Sequence, residues 1–83
     1  MVIINKLVYN NKIYLTFYNL RFLLLTPGIS GEPGTVSFES ETFPGFFARH
    51  YSYLLYLDPL EENDLYKKDA SYYLREDKYY PVG

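Results

Sequence analysis

The sequence predicts an all-β fold, and three observations predict it. Eleven tyrosines and six phenylalanines, with Val, Ile and Leu beside them, make the 83-residue chain 20% aromatic. Aromatic and β-branched side chains lose rotamer freedom on a helix and pack well on a pleated, half-buried surface. The apolar runs are short, and turn-forming pairs such as Asn10-Asn11, Pro27-Gly28, Pro33-Gly34 and Pro44-Gly45 separate them.

Taken in order, Val2 to Tyr9 is the first strand, ended by Asn10-Asn11, and Ile13 to Phe17 the second. Phe22 to Leu25 leads into the loop that holds Pro27-Gly28 and Pro33-Gly34, and Val36 to Glu39 follows. Within that strand Glu39 reads as structural, with Arg49 as its ion-pair partner. Pro44-Gly45 turns the chain, Gly45 taking positive φ, into Phe46 to Arg49 and then Leu54 to Leu57. The stretch Pro59-Leu-Glu-Glu-Asn-Asp-Leu-Tyr-Lys-Lys is acidic early and basic late, as a helix dipole prefers. It is short, so a 3₁₀ turn or a loop is expected there, with Leu60 and Leu65 or Tyr66 tucked toward the core. Tyr72 to Leu74 is the last strand, and Tyr79-Tyr80-Pro81 reads as a frayed end, with an aromatic sugar platform as its alternative. This punctuation suits a barrel or a trefoil.

Composition excludes several function classes. Eight basic and ten acidic residues are scattered to a net charge of −2, which leaves no concentrated positive face for nucleic acid. Without cysteine there is no disulfide and no thiolate metal site, and one histidine with no spaced acidic loop argues against zinc and calcium. No cofactor is implied. Met1 to Leu25 is apolar, but Asn5, Lys6, Asn10, Asn11, Lys12, Asn19 and Arg21 interrupt it, so neither a signal peptide nor a membrane span is expected. Catalytic sets are poor: Glu39 with Glu41 or Asp69 has no fixed separation for glycoside hydrolysis. Ser52 with His50 and Asp69 lacks a nucleophile elbow. No catalytic residue is expected.

An internal echo suggests the organisation. Tyr18-Asn19-Leu20-Arg21-Phe22-Leu23-Leu24 lies over Lys68-Asp69-Ala70-Ser71-Tyr72-Tyr73-Leu74 at an offset of fifty residues. A period of that size signals stacked supersecondary units. The chain then reads as a single domain over 1–83 with one complete unit at 20–69, the remnant of a preceding unit at 1–19 and the start of a following one at 70–83. That is about one and a half units, so the expected architecture is a partial β-trefoil, about one and a half of three repeats.

Pro27-Gly28-Ile29-Ser30-Gly31, Gly34-Thr35-Val36-Ser37-Phe38-Glu39-Ser40, Phe43-Pro44-Gly45-Phe46-Phe47-Ala48-Arg49-His50-Tyr51 and Lys68-Asp69-Ala70-Ser71-Tyr72 stand in order along the chain. Together they resemble the arabinose-binding domain of α-L-arabinofuranosidase B, the family 42 carbohydrate-binding module. The resemblance runs from about Phe22 to Tyr73. It implies a β-trefoil of three repeats, a non-catalytic role, and shallow pockets for arabinofuranose side chains of arabinoxylan or arabinan, as part of an arabinofuranosidase-like protein. It also favours an extracellular location. Residue by residue, the family's ligand histidine falls on His50, the next aromatic on Tyr51 and the aspartate on Asp69. Ala48, where the family carries a larger aliphatic residue, is expected to leave a packing gap, and Thr42 and Ser71 are further departures.

The chemistry of those three residues suits a pentose. A carboxylate accepts from two hydroxyls, a neutral imidazole both donates and accepts, and a tyrosine offers a ring face with a hydroxyl. Plain alternatives stand beside this: His50 as a structural histidine paired with Asp69, Tyr51 as a strand-face aromatic beside Tyr53, and Asp69 as a solvated turn or Asx cap. The rival function is a truncated trefoil fragment without sugar binding, whose open strand edges pair with another copy to give a homo-oligomer.

Overall fold

The structure, a computed structural model, describes residues 5–17, 19–51, 54–76 and 78–83. Its elements run β1 (Asn5–Tyr9), β2 (Lys12–Phe17), β3 (Leu20–Leu25), β4 (Thr35–Ser40), β5 (Phe46–Tyr51), β6 (Leu54–Pro59), α1 (Asp64–Asp69), β7 (Tyr72–Arg75) and β8 (Lys78–Pro81). The all-β class is met. Strands β1 to β6 form an antiparallel path in chain order, and β7 leaves it to pair with β4 and β8. Strand β4 is the hub: Ser37 to Ser40 pair with β3, Glu39 faces Phe47 of β5, and Thr35 and Val36 face Tyr73 and Tyr72 of β7.

Local chemistry explains the turns. Asn10 and Asn11 both take positive φ, 51° and 61°, and close a two-residue hairpin in which Tyr9 faces Lys12. Two successive left-handed residues match the twist of the flanking strands, and asparagine tolerates that region better than most side chains. Gly45 adopts φ 88° in the turn before β5. The carboxylate of Glu39 accepts from the Gly45 amide at 2.8 Å. Glu39 therefore fastens this turn and is not the partner of Arg49, whose guanidinium reaches acids on the opposite side of β5 and beyond.

Two further expectations are corrected. The acidic-to-basic stretch forms an α-helical turn, not a 3₁₀ turn or loop: Asn63 caps it by accepting from the Tyr66 amide at 2.8 Å, with Asp64 in its first turn and Lys67 and Lys68 in its last. Of its apolar residues only Tyr66 is buried, while Leu60 and Leu65 stay exposed. The carboxyl-terminal aromatics are a paired strand: Tyr79 and Tyr80 face Leu74 and Tyr73, and the Tyr79 ring meets Phe38 edge-on at 5.0 Å. Residues 1–4, at the start of the expected first strand, and Tyr18, Ser52 and Tyr53, lie outside the described residues.

The core has two parts. Leu15, Phe22, Phe38, Ala48 and Tyr72 form one, with Ile13, Leu24, Val36, Leu55, Leu57 and Tyr79 against it. Phe22 and Tyr72, superposed by the fifty-residue offset, both lie there. Tyr72 donates its hydroxyl to the Ala48 carbonyl at 3.0 Å, so a tyrosine reaches to the backbone at the position where the small side chain stands. The second part is Phe47, Tyr66 and Ala70 with Leu25 and Ile29, and it seats α1 against β5.

Thr35 and Ser37 of β4 and Ser71, just before β7, form a trio of buried hydroxyls. Gly28, Ile29 and Ser30 donate successive amides to Thr35 Oγ1, Ser37 Oγ and Ser71 Oγ at 3.0, 2.9 and 2.9 Å. Each hydroxyl in turn donates to a carbonyl, of Glu32, Ala70 and Lys67 respectively, so both capacities of each group are used and burial costs little. A Cβ on Gly28 would stand 2.9–3.0 Å from all three hydroxyl oxygens, which is why glycine is needed there.

Candidate functional site

The β5–β6 hairpin builds the site. Side chains alternate between faces along a strand, and directly opposed residues share a face. The register sets Ala48 across from Leu57 and His50 across from Leu55, and those leucines pack on the main core. Arg49 faces Tyr56, Phe47 faces Asp58 and Tyr51 faces Leu54, so these six residues share the other face.

Arg49 is the centre of that outer face. Its Nη2 donates to Asp69 Oδ2 at 2.8 Å, both side chains being close to nine-tenths buried. Its Nη1 lies 3.2 Å from Glu61 Oε2 and 3.8 Å from Asp58 Oδ2. The guanidinium sits over the ring of Tyr66 at 4.9 Å and that of Tyr51 at 5.6 Å. These cation–π contacts matter because Arg49 Nε is buried with no hydrogen-bond partner among the described residues. The hydrogen bond to Asp69 pushes the arginine pKa up, and outweighs the opposing pull of burial. Burial pushes the Tyr66 hydroxyl up to about 12, with the charge of Asp58 adding to it, and that hydroxyl donates to the Asp58 carbonyl at 2.7 Å.

An open cleft of about 360 Å³ lies on this face, lined by Arg49, Tyr51, Tyr56 and Asp58. The rings of Tyr51 and Tyr56 meet at 60° with centroids 6.3 Å apart. An aromatic corner beside a cation and a carboxylate combines an apolar wall with donors and acceptors, which is what a polar ring ligand requires. A second concavity, about 580 Å³, lies between Pro27, Pro33, Val36 and Leu74, but neither an ionisable nor an aromatic side chain lines it. Chemistry therefore favours the smaller cleft.

The three residues expected from the sequence are placed unequally. Tyr51 lines the cleft and is half exposed. Asp69, at the end of α1, is buried behind Arg49 and orients it. His50 is half-buried and faces Leu55 across the strand pair, so by alternation it leaves β5 on the face opposite to that of Arg49, the residue Asp69 holds. Sequence reasoning missed Arg49, Tyr56 and Asp58 as a set. The available signal was the period of two: Arg49 and Tyr51 share parity on β5, as Tyr56 and Asp58 do on β6.

The carboxylates of the catalytic alternatives are engaged separately, Glu39 with the Gly45 amide and Glu41 with Arg21 at 2.8 Å. Among the described residues no group of three or more His, Cys, Asp or Glu side chains could hold a metal ion, and no helix is long and apolar enough to cross a membrane.

Residues 16–79 match the family model of the alpha-L-arabinofuranosidase B (ABFB) domain. No curated protein matches the chain. The chain belongs to the alpha-L-arabinofuranosidase B domain family, a family of carbohydrate-binding, non-catalytic modules.

Proposed function

We propose that this member of the family holds arabinofuranose side chains of plant-type polysaccharide, arabinoxylan or arabinan, as the binding module of an arabinofuranosidase-like protein. One observation carries the reading: within the matched segment, the outer face of β5–β6 opens a cleft in which a half-exposed tyrosine stands beside a fixed guanidinium and a carboxylate. In it Tyr51 supplies the wall for the sugar's C–H face and Arg49 donates to ring hydroxyls. Asp69 acts through Arg49, which it holds in place. The repeat organisation, with 20–69 as the complete unit of a partial trefoil, belongs to the same proposal.

Affinity per site is weak, in the high micromolar to millimolar range, about −4 to −6 kcal/mol. Calorimetric titration with an arabinose-substituted xylo-oligosaccharide tests it. Tyr51→Ala, a change at an exposed position, lowers affinity about tenfold while the fold stays intact. Equal binding by the variant and the unaltered chain would remove Tyr51 from the site, and absence of binding by both would end the sugar reading.

A second reading, self-association, rests on β1. Strand β1 ends the sheet path and carries Val8 and Tyr9, each 62% exposed. Among the described residues no strand pairs with its outer edge, and such an apolar edge invites another copy. Sedimentation across a concentration series distinguishes a monomer from that assembly.

A further inference from the structure

We propose that Tyr56 and Asp58 are ligand contacts of the β5–β6 cleft and that they restrict it to uncharged sugars, turning away sugars that carry a carboxylate. The inference rests on the sugar-binding reading above and specifies its ligand class.

Tyr56 stands across the strand pair from Arg49 and forms the second wall of the aromatic corner with Tyr51. Rings that meet edge-on at 60° do not sandwich a ligand; they form a corner against which one face of a sugar ring can rest. Tyr56 is 40% exposed, so its face is open for this use.

Asp58 differs from Asp69 in the way that matters for a ligand. Its Oδ2 lies 3.8 Å from Arg49 Nη1, beyond hydrogen-bond length, and its side chain is 41% exposed. Its carbonyl accepts from the Tyr66 hydroxyl, but its carboxylate oxygens accept no hydrogen bond among the described residues. It therefore keeps acceptor capacity that a sugar hydroxyl can fill, while a neighbouring hydroxyl accepts from Arg49 Nη1.

The charge balance sets the restriction. Asp58, Glu61 and Asp69 surround one guanidinium, a surplus of two negative charges. Asp69 and Glu61 each take an N–H from one of the two terminal nitrogens, so a donor remains on Nη1 for a hydroxyl while the positive charge is already countered. A uronic acid would bring a fourth carboxylate to that single cation and face the open acceptor of Asp58 without a proton to offer it. Discrimination of this kind arises from the repulsive element as much as from the attractive one.

The test is calorimetric titration of the whole chain with two xylo-oligosaccharides, one substituted with arabinose and one with glucuronic acid. The unaltered chain is expected to bind the neutral ligand at least about tenfold more tightly, and added salt to narrow the gap. Asp58→Asn, which keeps the backbone carbonyl that Tyr66 uses, weakens the neutral ligand and brings the two affinities together. Tyr56→Ala weakens the neutral ligand with an unchanged circular dichroism spectrum. Equal binding of the two ligands by the unaltered chain, or full neutral binding and undiminished discrimination in both variants, overturns this inference. If Tyr51→Ala weakens neutral binding in that second case, the sugar reading survives the loss. Failure of the unaltered chain to bind the neutral ligand ends both.

Discussion

On one face of the β5–β6 hairpin Ala48, Leu55 and Leu57 close against an aromatic core, while on the other Tyr51, Tyr56 and Asp58 open to solvent around the buried guanidinium of Arg49. The two faces share a backbone and a register, yet one is held by apolar area and the other by a charged pair under aromatic rings. The period of two makes this division possible, and a slip by one residue would exchange the faces. What differs is tolerance: the inner face resists any loss of volume, whereas the outer resists loss at Arg49 and Asp69 and accepts change at its rim.

That contrast can be broken by substitution. Arg49→Ala leaves the Asp69 carboxylate buried and alone, and urea denaturation is expected to show a loss of about 3–5 kcal/mol. Phe38→Ala, on the core side, is expected to cost a similar amount, about 3–5 kcal/mol, through the cavity left in a fully buried position. If only the phenylalanine change destabilises, the outer face is not held by its ion pair. A joint Arg49→Met and Asp69→Leu replacement recovers most of the first loss, because the unpaired charge goes with its partner. Gly28→Ala, which presses a methyl group on three hydroxyls, costs about 1–3 kcal/mol in the same assay.

Smaller effects sharpen the picture. Burial raises Tyr72, and raises Tyr66 to about 12, so each prefers its neutral form when folded. Above the ordinary tyrosine value near 10 the unfolded chain releases protons that the folded chain keeps, so the stabilisation is complete below about 10 and is lost as pH rises through about 12. Denaturation midpoints measured from pH 9 to 12 should fall, and the fall should be shallower in Tyr66→Phe. Tyr51→Ala, at the rim, should move stability by no more than about 0.5 kcal/mol while weakening sugar binding.

Most of the fold was legible because its signals are local. Asn10-Asn11 and Pro44-Gly45 announce their turns, and seven of the eight strands of the described structure overlap apolar runs seen in the sequence. The eighth, Lys78–Pro81, was missed because Tyr79 is fixed by Phe38, forty-one residues away, and no local pattern reports that contact. The same limit applies to Glu39. Its spacing suggests Arg49, but a backbone amide six residues on is nearer. At the site, Tyr51 was found through the family pattern. Arg49, Tyr56 and Asp58 were not, because their grouping depends on which face β5 turns outward, and alternating parity fixes that only once the β5–β6 pairing is known.

The hydroxyl trio has a bearing on assembly. Ser30 and Ser71, whose bond completes it, stand 41 positions apart, while the β1–β2–β3 and β5–β6 hairpins join near neighbours. Short closures form early and long ones late. Gly28 and Ile29 meet Thr35 and Ser37 within short closures of 7 and 8 positions, so it is the Ser30 amide alone that latches onto its acceptor after the residues leading into β7 arrive. Amide exchange at Ser30 should accordingly report the opening of the entire molecule, as a buried strand does, although it belongs to a loop.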